Sequence, residues 1–338
     1  MRIVTFGEIL LRLSPPARQR FLQAEQFDAV YGGGEANAAV SLSNFGEDAA
    51  FVSKVPDNPI GQSAVNFLRR YGVNTDHVLR GGSRLGIYYL EKGADRRASK
   101  VFYDRAGSGV AEAKRKDFDW DTILNGADWF HFTGITPALG KELPNICAEA
   151  LDVCRKHGIR VSCDLNYRSK MWTAEVAGKT MERLLPYVDV CIANDEHIPI
   201  LFGIQEKERT ESGNISPAGC ERIMRTLCAR FGVKSVALTQ RESLNADSNC
   251  WQGFYFDGKE CCLSQRYTLH IVDRVGGGDA FAAGLIYSLL HQYTPQHAID
   301  FAMEAGALKH SIEGDVNLVS VQEIEENLRG GHCGSVQR

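Results

Sequence analysis

The 338-residue sequence predicts an α/β protein with a mostly parallel central sheet and helices on both of its faces. Two observations carry this prediction. Short apolar runs typical of buried strands alternate with longer runs of helical period, and several of these longer runs end on glycine, a common helix stop. The apolar content of 44% and the charged content of 24% are those of an ordinary globular protein.

The predicted elements follow one another in a regular order. Six strands are predicted in "RIVTFG", "AAFVSKV", "ADWFHFTGI", "IRVSCDL", "YVDVCIAN" and "KSVALT". Helices are predicted in "EANAAVSLSNFG", "GQSAVNFLRRYG", "LPNICAEALDVCRKHG" and "GCERIMRTLCARFG". Because no linker-like stretch interrupts the order, we expect one domain over 1–330, followed by a Gly-rich flexible tail at 331–338.

Two segments, 10–31 and 85–105, lack a helical period. The second has two β-rich runs around the turn "GADRR", a pattern typical of a β-hairpin. We expect both segments to form one small sheet that projects from the main domain as a lid. Exposed edges of such a lid often pair between subunits, which favours a homodimer formed through the lid.

Charge and cysteine usage exclude several classes of protein. The net charge of −4 gives no support to binding of nucleic acid or a membrane surface, which would call for basic patches, and no apolar run reaches the roughly 18 residues of a membrane span. The N-terminus lacks a signal-peptide pattern. The ten cysteines include no CxxC pair, and several lie inside apolar runs, which indicates reduced structural thiols in a cytoplasmic protein. Those cysteines are Cys147, Cys154, Cys163 and Cys191.

The stretch "DRVGGGDAF", residues 273–281, places three glycines before an apolar helical run. A helix N-terminus presents unpaired N–H groups and a partial positive charge, and Gly276, Gly277 and Gly278 would let a phosphate approach them closely. Asp279 is badly placed beside that anion unless it takes the proton from a hydroxyl that attacks the phosphate. The alternative is a tight strand-to-helix turn in which Asp279 is an ordinary N-terminal acid.

Two long motifs resemble the signatures of the ribokinase-like (PfkB) sugar kinases. "DRVGGGDAFAAGLI" resembles the C-terminal signature, usually written D-T-x-G-A-G-D, and "GGGEANAAVSLSNFG" with "KVPDNPIG" resembles the N-terminal one. The resemblance runs from residue 1 to about 328 and implies a three-layer α/β/α fold, Asp279 as general base and the three glycine amides as anion hole. Arg274 replaces the usual Thr and Pro56 a usual Gly, and neither is expected to touch the base or the glycines.

Arginines and tyrosines predict the acceptor side of the site. In the strand "SKVFYDR", the two-residue period puts Val101, Tyr103 and Arg105 on one face, and Tyr88 lies on the opposing strand. An arginine among tyrosine hydroxyls can clamp a carboxylate, although a solvated edge strand is the alternative. Arg168 follows another strand, where α/β ligand sites form, and its alternative is a structural ion pair.

The segments "DLNYR", "GIYYLE", "FYDRAGS" and "EGDVNL" resemble those members of the family that phosphorylate 2-keto-3-deoxygluconate. That resemblance implies ATP-dependent phosphorylation of the terminal C6 hydroxyl, giving 2-keto-3-deoxy-6-phosphogluconate. The alternatives are a kinase of a neutral sugar, such as a fructokinase or a ribokinase, and a catalytically inactive sugar-acid sensor. The residues implied to bind the sugar acid are Gly33, Tyr88, Tyr103, Arg105, Asn166, Arg168 and Asp315.

The nucleotide side departs furthest from the family pattern. The family's T-x-G-x-x-G follows the strand that corresponds to "SVALT", whereas this chain continues "TQRESLNADSNCW" without those glycines. The resemblance implies Thr239 and Arg241, with Gly276 and Gly278, as contacts of ATP. In "ANDEHI", Glu196 is expected to hold magnesium through water, and the alternative is that Glu196 caps the helix that follows.

Overall fold

The computed structural model describes residues 1–210 and 213–330, so the predicted flexible tail at 331–338 lies outside the described residues. Within those ranges the strands are β1 (Arg2–Phe6), β2 (Leu10–Ser14), β3 (Asp28–Gly32), β4 (Asp48–Val55), β5 (Val78–Arg80), β6 (Gly86–Glu91), β7 (Lys100–Asp104), β8 (Trp129–Thr133), β9 (Arg160–Asp164), β10 (Val190–Asn194), β11 (Ser235–Ser243), β12 (Ser248–Phe256), β13 (Cys261–Leu263) and β14 (Tyr267–His270). The helices are α1 (Gly34–Asn44), α2 (Pro59–Arg70), α3 (Trp120–Ile123), α4 (Leu143–His157), α5 (Ala174–Leu184), α6 (His197–Phe202), α7 (Pro217–Phe231), α8 (Gly277–Leu290), α9 (Pro295–Lys309) and α10 (Val321–Leu328).

The larger sheet is mostly parallel. Its parallel part has the order β5–β4–β1–β8–β9–β10–β11. Beyond β11 the sheet continues antiparallel, because β12 pairs with β11 and both β13 and β14 pair with β12. The six strands predicted from the sequence all belong to the parallel part, which confirms the predicted fold class.

Helices cover both faces of this sheet. On β1, Ile3 belongs to an apolar cluster shared with α1, α2, α8 and α9, whereas Val4 and Phe6 belong to a second cluster shared with α4, α5 and α7. Burial on both faces explains why these strands appear in the sequence as continuous apolar runs. Among the described residues, no helix combines the length and the apolar character needed to cross a bilayer.

The segments 10–31 and 85–105 supply the strands of a second sheet, with the order β3–β2–β6–β7. The β6–β7 pair is an antiparallel hairpin, and β2 pairs with β6 in parallel. On the hairpin, Tyr88 lies opposite Tyr103, and the next pair, Tyr89 and Phe102, faces the other side. We call these four strands the small sheet.

The cysteines of the described ranges are free thiols. Cys147, Cys154, Cys163 and Cys191 are fully buried within the cluster that includes α4 and α7. Burial raises the pKa of all four thiols far above the ordinary value, so they remain protonated and act as small apolar groups.

Candidate active site

A cavity of about 450 Å³ lies between the small sheet and the carboxyl ends of the parallel strands. This is the edge of an open α/β sheet at which ligand sites form. Of the site residues that the sequence predicts, only Gly277 and Glu196 are absent from the cavity wall. The predicted residues in the wall are Gly33, Tyr88, Tyr103, Arg105, Asn166, Arg168, Thr239, Arg241, Gly276, Gly278, Asp279 and Asp315.

The three glycines before α8 have different surroundings. Gly276 has a left-handed backbone with φ of 84°, and a Cβ atom there would overlap the Asp315 carbonyl oxygen. A Cβ atom on Gly277 would overlap the His310 ring. The backbone N–H of Gly277 donates to the Arg274 carbonyl at 3.4 Å. Gly278 faces open space in the cavity. Gly276 and Gly278 therefore line the cavity, with open space at Gly278, while Gly277 packs inward against His310.

Asp279 lies in the first turn of α8, beside these glycines. Burial raises the pKa of its carboxyl to about 7, and the neighbouring acids Asp164 and Glu35 act in the same direction. Asn37 opposes them, because its Nδ2 donates to Asp279 Oδ2 at 2.7 Å. The result is a carboxylate basic enough to accept a proton near neutral pH.

Tyr88 and Asp315 form a hydrogen-bonded pair at the inner side of the small sheet. The Tyr88 hydroxyl donates to Asp315 Oδ2, and Arg12 Nη1 donates to Asp315 Oδ1 at 2.7 Å. Arg12 also donates to Asp273 Oδ2 at 2.6 Å. The sequence analysis missed Arg12 because its partners lie 261 and 303 residues away along the chain.

Arg105 reaches the cavity from β7, but it already has an acidic partner. Its Nε donates to Glu8 Oε2 at 2.7 Å, its Nη2 reaches the same oxygen, and Ser108 donates to Glu8 Oε1. The Arg105 guanidinium also lies 5.4 Å from the centroid of the Tyr103 ring. Two arginines, Arg105 and Arg168, are predicted from the sequence to bind the carboxylate of the substrate. Arg105 already pairs with Glu8, which holds its guanidinium in place.

Arg168, Arg241 and Arg274 line the cavity, and none of them forms an ion pair with an Asp or Glu of the described residues. The structural ion pair considered as an alternative for Arg168 is therefore not observed in this part of the chain. Burial, with Arg274 and Arg168 nearby, lowers the pKa of Arg241 to about 10. Three mutually repelling guanidinium groups in one cavity favour a ligand that carries several negative charges.

Arg274 meets the glycine turn through its backbone, a contact that does not depend on the side chain, so the expectation that this substitution leaves the base and the glycines untouched stays a prediction. Its side chain borders the cavity, and its carbonyl accepts the Gly277 N–H at 3.4 Å. Its Nη2 donates to the Ala246 carbonyl at 3.0 Å, which fixes the guanidinium near the turn between β11 and β12. The sequence places Arg274 next to Asp273 and close to the glycines. The direction of its side chain depends on the fold, so the sequence could not predict it.

Glu196 is exposed at the residue before α6 and does not border the cavity. Its N–H donates to Asn194 Oδ1 at 2.8 Å, and its side chain makes no capping hydrogen bond with α6. Asn194 and Asp164 do border the cavity. In the ranges 1–210 and 213–330, no group of three or more His, Cys, Asp or Glu side chains is arranged to hold a metal ion by itself.

The fold is that of the ribokinase-like sugar kinases. The sequence matches the model of the pfkB family carbohydrate kinases over residues 1–320. The chain belongs to this family and is a phosphotransferase that acts on an alcohol group.

Relatives of known structure and of curated name agree with this assignment. A crystal structure of a 2-dehydro-3-deoxygluconokinase from Thermotoga maritima is 49% identical, covers 96% of this chain and 97% of its own, and has a TM-score of 0.92. A PfkB family carbohydrate kinase from Listeria grayi is 35% identical, with coverages of 97% and 100% and a TM-score of 0.90. A 2-dehydro-3-deoxygalactonokinase from Haloferax volcanii is 32% identical and covers 98% of both chains.

Proposed function

We propose that this enzyme transfers the γ-phosphoryl group of ATP to the C6 hydroxyl of 2-keto-3-deoxygluconate. The names of the relatives from Thermotoga maritima and Haloferax volcanii support a 2-keto-3-deoxy sugar acid as substrate. The observation that carries the proposal is one cavity that holds Asp279, the N-terminus of α8 and the guanidinium of Arg168, which forms no ion pair within the described part of the chain. A neutral sugar would leave that guanidinium without a counterion.

The proposed reaction uses Asp279 as the base and the start of α8 as the anion site. The Asp279 carboxylate accepts the C6 hydroxyl proton as the new O–P bond forms and the bond between the γ-phosphoryl group and ADP breaks. Backbone N–H groups at Gly276 and Gly278 stabilise the charge on the phosphoryl oxygens in transit. Arg168 binds the carboxylate of the sugar acid, and the small sheet closes over the cavity to exclude water.

The donor side of the proposal rests on Arg241, Arg274 and Thr239. These residues line the same cavity as Gly278 and Asp279, and two of them are cationic, so we assign them to the triphosphate of the donor. Magnesium would neutralise phosphate charge there, and it needs few protein ligands because it keeps much of its water. Asp164 and Asn194 fit such a site better than Glu196, whose side chain lies outside the wall.

We also propose that the enzyme is a cytoplasmic homodimer joined through the small sheets. The free thiols of the described residues suit a reducing compartment. The outer face of the small sheet carries a cluster of aromatic rings, in which the Phe21 centroid lies 5.6 Å from that of Phe102 and 6.4 Å from that of Phe27. An exposed apolar cluster of this kind marks a protein–protein contact.

A kinase assay across acceptors tests the proposed reaction. We expect turnover of 2-keto-3-deoxygluconate to exceed that of fructose and ribose by at least about a hundredfold, because a neutral sugar forfeits a charge-assisted contact. The C4 epimer, 2-keto-3-deoxygalactonate, belongs in the same panel because a relative bears its name. Comparable turnover of fructose would favour the neutral-sugar kinase, and sugar-acid binding without ATP consumption would favour the inactive sensor.

Asp279→Asn tests the role of the base in the same assay. The amide keeps the size of the side chain but cannot take the hydroxyl proton, so we expect kcat to fall by about 100- to 10,000-fold. Isothermal titration with the sugar acid serves as the control, since binding is expected to persist. Near-normal turnover by Asp279→Asn would exclude Asp279 as the base.

The two arginines on the acceptor side should respond differently to substitution. Arg168 has no acidic partner among the described residues, so Arg168→Gln should raise KM for the sugar acid by about 10- to 100-fold with little change in Tm. Arg105→Gln leaves the buried Glu8 without its cation, so Tm should fall as well. Arg84→Gln is the matched control, because Arg84 and Asp104 form an exposed pair on the small sheet. An unchanged KM in Arg168→Gln would exclude the carboxylate contact.

A further inference from the structure

Lys309, the last residue of α9, has no exposed surface. Lysine is almost never fully buried unless its ammonium group is paired. Lys309 Nζ donates to the Ile312 carbonyl at 3.0 Å and to the Asp273 carbonyl at 3.4 Å. A Cβ atom on Gly276 would lie 3.3 Å from Lys309 Cε, so the side chain runs directly beneath the first glycine of the anion site.

The ammonium group also balances charge in a buried cluster. Asp273 and Asp315 are 3% and 1% exposed, and one guanidinium, that of Arg12, bridges both carboxylates. Lys309 adds a further positive charge near these two acids, and both of them raise its pKa, although its hydrogen bonds go to carbonyl oxygens and not to the carboxylates. Lys92 adds a charge only at the rim, where it is partly exposed and lies 3.7 Å from Asp273.

Lys309 carries its charge at neutral pH. Burial and the nearby Arg12 lower its pKa, whereas Asp273, Asp315 and Asp279 raise it, and the outcome is a pKa of about 8. The adjacent His310 adds no charge, because burial lowers its pKa to about 4.

The loop above Lys309 determines where the amides of the anion site point. Asp273 fixes this loop through its side chain, since Oδ1 accepts from Val275 N at 3.2 Å and Oδ2 accepts from Gly314 N at 3.3 Å. Lys309 joins the same loop to the carbonyl of Ile312 on the other side. Without the ammonium group, the carbonyls of Asp273 and Ile312 would lose the donor that they share.

We propose that Lys309 is a positioning residue for phosphoryl transfer. Its ammonium group holds the loop 273–276 so that the N-terminus of α8 faces the transferring phosphoryl group, and its charge lies behind the anion site. This inference rests on the role proposed above for Gly276, Gly278 and Asp279. Lys309 would act through the loop and touch neither substrate.

Lys309→Met tests the inference because it keeps the length of the side chain and removes the charge. We expect kcat to fall about tenfold to a hundredfold, as when reacting groups shift by about an ångström, while KM for the sugar acid changes less than about threefold. Lys54→Met is the matched control, since Lys54 pairs with Asp117 at 2.7 Å outside the cavity wall. A wild-type kcat in Lys309→Met would overturn the proposal.

Chemical rescue separates a role of the charge from a role in packing. Lys309→Ala removes the equivalent of propylammonium, so added propylammonium should restore kcat in a saturable way, while 1-propanol of the same size should not. Equal effects of the amine and the alcohol, or no effect of the amine, would overturn the proposal. Asp279→Asn is assayed in parallel with both substrates. An active Asp279→Asn would count against the proposed base, whereas the rescue result concerns Lys309 alone.

Discussion

The groups around the carboxyl group of Asp279 oppose its ionisation more than they favour it. Burial and the acids Asp164 and Glu35 raise its pKa to about 7, and the pKa of Asp164 is itself raised to about 6. Glu35 has a structural role, because its carboxylate accepts hydrogen bonds from Thr133 N at 3.0 Å and from the Thr133 hydroxyl at 2.8 Å. The surroundings therefore convert a weak base into one suited to neutral pH.

The pH dependence of activity should report this balance. Asp279 must be ionised to accept a proton, so kcat/KM for the wild type should decline below about pH 7. The hydrogen bond from Asn37 favours the ionised form and lowers the pKa of Asp279. Its loss in Asn37→Ala should raise that pKa and move the acid limb of the profile upward by about one pH unit.

Asn44→Ala provides the control for this profile. Asn44 lies on the same helix as Asn37 but donates to the Asn317 carbonyl at 2.7 Å, away from Asp279. Its acid limb should coincide with that of the wild type. A downward shift in Asn37→Ala, or equal shifts in both variants, would contradict the assignment of this limb to Asp279.

The sequence predicts the site residues that lie in local motifs better than those that depend on distant contacts. The stretch that holds Gly276 and Asp279 needs only a strand, a turn and a helix in succession, and all its parts are adjacent in the chain. The pair of Arg105 with Glu8 spans 97 residues, so the motif around Arg105 could not reveal it. Gly277 resembles its neighbours in the sequence, and only the position of His310 shows that it packs inward.

At the scale of elements, the β11–β12 hairpin connects the part of the cavity wall that carries Thr239 and Arg241 to the small sheet. The turn of this hairpin contacts the β6–β7 connection, where Asp247 Oδ2 accepts from Asp95 N at 2.7 Å and Ala246 N donates to the Asp95 carbonyl at 2.8 Å. Arg18, from the β2–β3 connection, pairs with the same Asp247. The position of the small sheet is thus linked to the strand that carries Thr239 and Arg241.

Asp247→Ala should weaken this link. We expect KM for the sugar acid to rise about fivefold to thirtyfold, as the loss of one or two kcal/mol of contacts implies, with faster hydrogen exchange at residues 93–97. Asp257→Ala is the matched control, because Asp257 accepts from Lys259 N and Glu260 N in the turn at the opposite end of β12. If exchange at 93–97 were the same in both variants, the turn would not hold the small sheet closed.

Buried parallel strands could be predicted from the sequence because their apolar runs are continuous. The antiparallel extension could not, for physical reasons that differ between strands. β12 begins with polar residues and contains Gly253, and β13 is only three residues long. The stretch that follows Thr239 lacks the family's glycines, and in the structure it extends β11 to Ser243 before the chain turns.

At the scale of the molecule, one buried ion cluster joins the two sheets. Arg12 belongs to β2 of the small sheet, whereas its partners Asp273 and Asp315 flank the start of α8 and the end of α9 in the main body. Tyr88 of β6 reaches Asp315 as well. The acceptor side, the anion site and the small sheet are therefore connected through side chains that are almost fully buried.

At the scale of the molecule, the outer face of the small sheet is also the surface through which we propose that the chain dimerises. Leu22, Phe27 and Phe102 are 96%, 42% and 53% exposed, and Tyr89 lies beside them on the face opposite the cavity. Phe102→Glu would place a charge at the centre of this face, so we expect the dimer to dissociate to the 37.4 kDa chain in sedimentation velocity. Val176→Glu, at 52% exposure on α5, is the matched control and should leave the mass unchanged. A wild-type enzyme that sediments as a monomer would contradict the proposed interface, because its aromatic face would then remain in water.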